Sequence, residues 1–142
     1  MFVDTNVLVY ARDPFEPDKQ ARAQDWMRSL WASRTGRVST QVLNEYYVTV
    51  TRKLRPVLPT VRAQADVRDL YMWRPIAIDV DVLGAAWEIE ERYGLSYWDA
   101  LIVAAAQIAG CDRLLTEDLS DGQSLGGVIV MNPFAHTPDS LV

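Results

Sequence analysis

The chain has 142 residues, 49% hydrophobic and 23% charged, enough to form one compact domain, 1–142, without a structural metal or disulfides. Its one cysteine, Cys111, excludes a disulfide framework and a cysteine-built zinc cluster, and is most simply placed in a reducing cytoplasm. The net charge of −5 argues against a uniformly basic nucleic-acid binder, yet the charge is lopsided, with 12 Lys and Arg against 7 acids in residues 12–74 and 2 against 11 in residues 75–142.

Short apolar runs alternate with helical patterns, without linker or repeat, and predict an α/β fold. Five strands are expected, at 1–4, 37–39, 75–78, 112–115 and 127–131. The first, MFVD, ends on Asp4, an acid where an apolar residue would continue the strand, and a helix follows at once. Further helices are expected over 17–33, 40–53 and 59–73. In the 40–53 segment Glu45 borders an apolar stripe of Val42, Leu43, Tyr46, Tyr47 and Val50, and Arg52, Lys53 and Arg55 at its end are the densest part of the basic half. Asp79 is suited to cap a helix ending before Gly94, and Ser96 a helix ending before Gly110. That second helix, YWDALIVAAAQIA, is apolar nearly all round, as a buried helix would be, with Asp99 its one charge. The strand at 112–115 leads through TE to Asp118.

Asp4 and Asp118 thus stand at the carboxyl ends of strands, where open α/β sheets present functional groups. Each acid has a purely structural account. Asp4 can cap the first helix, Ser96 and Asp99 have the spacing of a capping box, Glu45 can be solvated, and Asp118 can shape a turn. Together they lack matching buried Lys or Arg near Asp4 and Asp99, and a divalent cation would supply the missing charge. Carboxylate oxygens suit hard Mg²⁺ or Mn²⁺. His136, the one histidine, lies in the tail and is not expected to be a base or ligand. Trp26, Trp31, Trp73, Trp87 and Trp98 read as core or interface residues, Cys111 as a small buried one, while Tyr46 and Tyr47 beside Glu45 are placed to meet a base.

The segments FVDTNVLVYA, LNEYY, LSYWDALIVAAA and RLLTEDLSDGQ, in this order and followed by VIVMNPF, resemble the PIN-domain nucleases over essentially the whole chain, most closely the VapC-like toxin ribonucleases of toxin–antitoxin pairs. The resemblance implies a three-layer fold with a central, mostly parallel five-stranded sheet flanked by helices. It implies an acidic site of Asp4, Glu45, Asp99 and Asp118 holding Mg²⁺ or Mn²⁺, with Thr5, Asn6, Ser96, Thr116 and Asp121 as polar support; Glu117 and Asp121 are close enough to replace or assist Asp118. The implied activity is endoribonuclease hydrolysis of RNA phosphodiesters by one or two ions, with the backbone gripped by Arg52, Lys53 and Arg55. The implied partners are a small cognate antitoxin and a second copy of the chain. A haloacid-dehalogenase-like phosphotransferase is the rival enzyme, weakened because DTN lacks the second Asp of D-x-D; a catalytically inert PIN-like binding module is the rival without chemistry. No apolar run approaches the ~20 residues of a membrane span, and the N-terminus lacks signal-peptide features, so no membrane and a cytoplasmic location are expected.

Overall fold

Pairing between the first strand and strands from the far end of the chain fixes the architecture. In the computed structural model, which describes residues 1–141, the order is β1 (Phe2–Val3), α1 (Thr5–Tyr10), α2 (Pro17–Ser33), α3 (Thr40–Arg52), α4 (Thr60–Leu70), a 3₁₀ turn at Tyr71–Trp73, α5 (Val80–Tyr93), α6 (Tyr97–Ile108), β2 (Arg113–Leu115), β3 (Ser124–Leu125), β4 (Val128–Met131) and a 3₁₀ turn at Pro138–Leu141. β2 lies parallel between β1 and β4, and β3 runs antiparallel on the outer edge of β4.

This is the α/β class expected, a mostly parallel sheet flanked by helices, but among the described residues it has four strands rather than five. The segments at 37–39 and 75–78 make only single bridges, Phe2 to Arg37 and Ser39 to Ile76. Both are cut short by the helices that follow. Ser39 turns its hydroxyl to cap α3 by accepting from Val42 N, Ile78 N donates to the Thr40 hydroxyl rather than to a ladder, and Pro75 has no N–H to give. The expected strand at 127–131 is present as β4 and is also half of a hairpin. β3 and β4 are joined by Gly126 and Gly127, both at positive φ (57° and 88°), the backbone hand that a two-residue hairpin turn needs.

The helices follow their sequence signals closely. Asp79 caps α5 through Asp81 N and Val82 N, Gly94 ends it in the left-handed conformation, and Ser96 caps α6. Residues Ala100–Ala106 of α6 are all buried, and four of those seven side chains are alanine, which lets the helix lie close to its neighbours α5, β2 and β4. Phe2, Val3, Leu114, Leu115 and Val130 bring the sheet into the same core. Trp26 is wholly buried, with its indole N–H donating to Pro133 O at 2.9 Å.

One close approach decides a residue identity. A Cβ at Gly36 would lie 2.6 Å from the ring of Trp73. Because Trp73 is itself buried and cannot swing clear, Gly36→Ala should destabilise the fold by ~1–3 kcal/mol through overpacking. Chemical denaturation should show a lowered midpoint with an unchanged slope; an unaltered midpoint would mean that Trp73 yields freely.

Candidate active site

The β1–β2 register pairs Val3 with Leu115, and Asp4 N donates to Leu115 O at 3.0 Å, so Asp4 and Thr116 emerge side by side at the carboxyl ends of their strands. The Thr116 hydroxyl, fully buried, donates to Asp4 Oδ2 at 2.7 Å. Asp4 also caps α1, its Oδ1 accepting from Thr5 N at 2.7 Å. The first turn of α1 then reaches outward to the other acids. Thr5 Oγ1 donates to Glu45 Oε2 at 2.7 Å, while Asn6 Nδ2 lies 3.3 Å from Asp4 Oδ2, 3.1 Å from Thr116 Oγ1 and 3.0 Å from Asp118 Oδ2. Asp99 sits half-buried in the first turn of α6, its N–H donating to the Ser96 hydroxyl at 3.1 Å.

The carboxyl groups influence one another electrostatically. Burial pushes the Asp4 carboxyl up to about 7; hydrogen bonds from Thr116 and Thr5 N oppose this, and the charges of Asp118 and Glu45 add to it. The Asp99 carboxyl is also raised, first by burial, against the Ser96 hydrogen bond, and again by Asp118 and Glu45. Asp118 and Glu45 thus act on both Asp4 and Asp99, which brings the four acids within electrostatic reach of one another. Among the described residues, no Lys, Arg or His forms an ion pair with any of the four.

The neighbouring acids are engaged elsewhere. Glu117 accepts from Lys19 Nζ at 2.9 Å, and Lys19 in turn lies over the rings of Tyr10 and Phe134. Asp121, expected among the supporting polar groups, instead accepts from Asn132 N at 2.8 Å and lies 2.8 Å from His136 Nε2. The turn after β2 therefore sends only Asp118 toward Asn6 and Asp4. Gln41, unnoticed in the sequence, belongs to the pocket. Its Nε2 donates to Glu45 Oε1 at 2.9 Å and to Trp98 O at 3.3 Å, so both oxygens of Glu45 are held. Its position one helical turn before Glu45 was the available signal.

Among the described residues, no three His, Cys, Asp or Glu side chains close into a ready-made chelate. Asp4, Glu45 and Asp118 are linked through Thr5, Asn6, Thr116 and Gln41, and Asp99 stands at the start of α6, where Gln41 also reaches Trp98 O. The donor set is nevertheless all oxygen and carries no compensating cation, and the buried Asn6 Oδ1 and Gln41 Oε1 have no hydrogen-bond donor. That chemistry fits a hard divalent ion, which binds through few acids and retains much of its water.

Other expected residues distribute as follows. Arg52, Lys53 and Arg55 are exposed where α3 ends, unpaired with any acid among the described residues. Tyr46 is buried with its hydroxyl on Asp66, so it offers no face to a base, and Tyr47 is half-buried. Trp26 and Trp73 are core residues, whereas Trp31, Trp87 and Trp98 are exposed, Trp98 beside Asp99. Cys111 is half-buried rather than buried.

A family model described as the PIN domain matches residues 1–120. No curated protein matches the sequence. Among solved structures, the chain is similar to a toxin–antitoxin complex from Klebsiella pneumoniae, at 22% identity and a TM-score of 0.65, covering 93% of this chain and 96% of that one. It is similar to the VapC20 toxin of Mycobacterium tuberculosis, described as cleaving the sarcin–ricin loop, at 26% identity over 80% of this chain and 85% of that one, TM-score 0.59. VapBC2 of Rickettsia felis, bound to a promoter DNA fragment, matches at 19% identity over 92% of this chain and 96% of that one, TM-score 0.58. The Klebsiella and Rickettsia matches establish likeness of fold.

The raised Asp4 carboxyl has a pH consequence for the metal-free protein. Its stabilising neutral form is fully present below the ordinary carboxylate value of 3.8 and is lost as pH rises through about 7. In chelator, Asp4→Asn should therefore gain stability over the unsubstituted chain as pH is raised from 5 to 8, by several degrees in melting temperature. A difference that does not change with pH would show that Asp4 carries no buried charge.

Proposed function

The chain belongs to the PIN domain family, and from that premise we propose that it is a Mg²⁺- or Mn²⁺-dependent endoribonuclease, a single nuclease domain acting as the toxin of a toxin–antitoxin pair. The observation that supports this reading is that Asp118 and Glu45 act electrostatically on both Asp4 and Asp99 while no Lys, Arg or His among the described residues pairs with any of the four. The similar structures, one a toxin that cleaves the sarcin–ricin loop and another a toxin–antitoxin complex, support the substrate class and the partner.

Asp4 and Asp99 would be the principal ligands, and Asp118 would hold a second ion or its hydration shell. When bound, the divalent cation supplies Lewis acidity that acidifies water and offsets charge growing on phosphate oxygens. Thr5 and Gln41 fix the two oxygens of Glu45, which orients the attacking water and draws its proton. Asn6 ties Asp118 to Asp4, and Thr116 orients the Asp4 carboxylate from below. Ser96 holds the first turn of α6, and with it Asp99, against the pocket. The exposed Arg52, Lys53 and Arg55 grip the RNA backbone by phosphate contacts that carry no sequence information.

A small antitoxin silences the enzyme, and the chain pairs with itself through large exposed side chains. Trp31, Tyr71 and Met72 are 38%, 60% and 77% exposed and fit that role; Trp26 and Trp73 are spent in the core. No helix among the described residues is long and apolar enough to cross a membrane.

Incubation of the purified chain with labelled RNA should give cleavage with Mg²⁺ or Mn²⁺ and none in excess chelator. Asp4→Asn and Asp99→Asn should lower the rate by orders of magnitude and lose most of the thermal stabilisation that Mn²⁺ gives the unsubstituted chain. Cleavage that persists in chelator would refute the metal-dependent reading. Replacing Arg52, Lys53 and Arg55 with Ala should flatten the salt dependence of RNA binding by roughly one slope unit per lost contact; an unchanged slope would place the grip elsewhere.

A further inference from the structure

The start of α1 and the exit of β2 meet at the acidic site, where Asn6 Nδ2 lies 3.1 Å from Thr116 Oγ1 and 3.0 Å from Asp118 Oδ2. The same two elements are joined a second time, by a residue that belongs to neither. Lys19, in the first turn of α2, donates from Nζ to Glu117 Oε2 at 2.9 Å and to the Tyr10 hydroxyl at 3.3 Å. Tyr10 is the last residue of α1, the helix whose first turn carries Thr5 and Asn6, and Glu117 stands between Thr116 and Asp118.

The Lys19 ammonium is caged. It lies 4.7 Å from the centroid of the Tyr10 ring and 5.0 Å from that of Phe134, and the two rings meet edge to face at 5.2 Å. The tail that brings Phe134 is fixed in turn: Phe134 N donates to Asn132 Oδ1 at 2.9 Å, and the buried Trp26 of α2 donates to Pro133 O. An ion pair between two freely solvated side chains fixes little. Here the cation has two ring faces and a hydroxyl to hold it, and the Lys19 and Glu117 side chains are only 37% and 21% exposed. Glu117 is thereby turned to a partner 98 residues away in sequence, although both of its chain neighbours meet Asn6 at the acidic site.

We propose that Lys19 is a positioning residue of the acidic site: fixed between Tyr10 and Phe134, it draws Glu117 away and leaves Asp118 as the one acid that the exit of β2 offers to a cation. The inference rests on the metal-dependent reading of that site and concerns its composition. Two adjacent carboxylates follow β2, and a hard divalent ion is held more tightly as carboxylates are added, at the expense of the waters it keeps. Holding Glu117 aside keeps room for the water that hydrolysis uses.

The test uses the full chain carrying Lys19→Met, which keeps the apolar stem and removes the charge, Lys19→Arg, which keeps the charge, and Glu117→Gln with and without Lys19→Met. Lys19→Met should bind Mn²⁺ several-fold more tightly, because Glu117 is released toward the site, yet cleave RNA about ten-fold more slowly at saturating Mn²⁺, the scale usual for groups that orient metal ligands. A lesion that only loosened the fold would weaken both. Lys19→Arg should restore both values, and in the Glu117→Gln background Lys19→Met should change neither. In excess chelator, the Asn6 side-chain amide resonances, which report its contact with Asp118, should move in Lys19→Met and return in Lys19→Arg. This last measurement needs neither metal nor RNA, so a chain that failed to bind Mn²⁺ or to cleave RNA would end the nuclease reading while the Asn6 resonances still decided the role of Lys19. Mn²⁺ affinity raised equally with and without Glu117 would reduce Lys19 to a distant charge and overturn the proposal, as would Asn6 resonances unmoved by Lys19→Met.

Discussion

A single buried carboxylate, that of Asp4 at the end of β1, organises this molecule. It is 6% exposed and has no cationic partner among the described residues; its hydrogen bonds come from Thr116, Thr5 N and Asn6. Such a group is expensive to keep ionised in a protein interior. The surrounding architecture lowers that cost only partly. The parallel β1–β2 register delivers the Thr116 hydroxyl, and the start of α1 delivers a backbone N–H, while Asp118 and Glu45 work in the opposite direction. A fold selected only for stability would have answered Asp4 with an arginine. This one answers it with more acids.

The same residues therefore serve two ends that are often treated as rivals. Asp4 does cap α1, and Ser96 does cap α6 by accepting from Asp99 N, whereas Glu45 is held by Thr5 and Gln41 rather than left to solvent. Capping is also how Asp4 is aimed. A cap residue sits where the backbone turns into a helix, with its side chain fixed by the N–H groups it receives; Asp99 follows the Ser96 cap in the first turn of α6, and Asp118 at the exit of β2 is met by Asn6 Nδ2. Glu45 arrives differently, from the side of α3, and needs Thr5 and Gln41 to hold it.

Much of this was legible in the sequence because caps and apolar periodicity are local. The bounds of α2, α5 and α6 and the burial of α6 follow from spacing read along the chain, whereas the grouping of Asp4, Glu45, Asp99 and Asp118 was implied by the resemblance to PIN-domain nucleases. What was not legible depends on contacts between distant segments. The runs at 37–39 and 75–78 have strand composition, but whether they extend into ladders depends on how soon Ser39 and Asp79 begin the next helix. Glu117, Asp118 and Asp121 could not be ranked, since Lys19 and His136, which draw two of them away, lie far off in sequence or across the final turn. The Gly126–Gly127 hairpin and Gln41 carried local signals that were passed over.

The central claim, that the four carboxylates form one cation site, is tested most directly by adding substoichiometric Mn²⁺ to the ¹⁵N-labelled protein and mapping paramagnetic broadening of backbone amides. Broadening should centre on Thr5, Asn6, Asp99, Ala100, Glu117 and Asp118 and leave the acidic run Glu88, Glu90 and Glu91 of α5 sharp. Broadening centred on that α5 run, or spread evenly over the acidic surface, would contradict it.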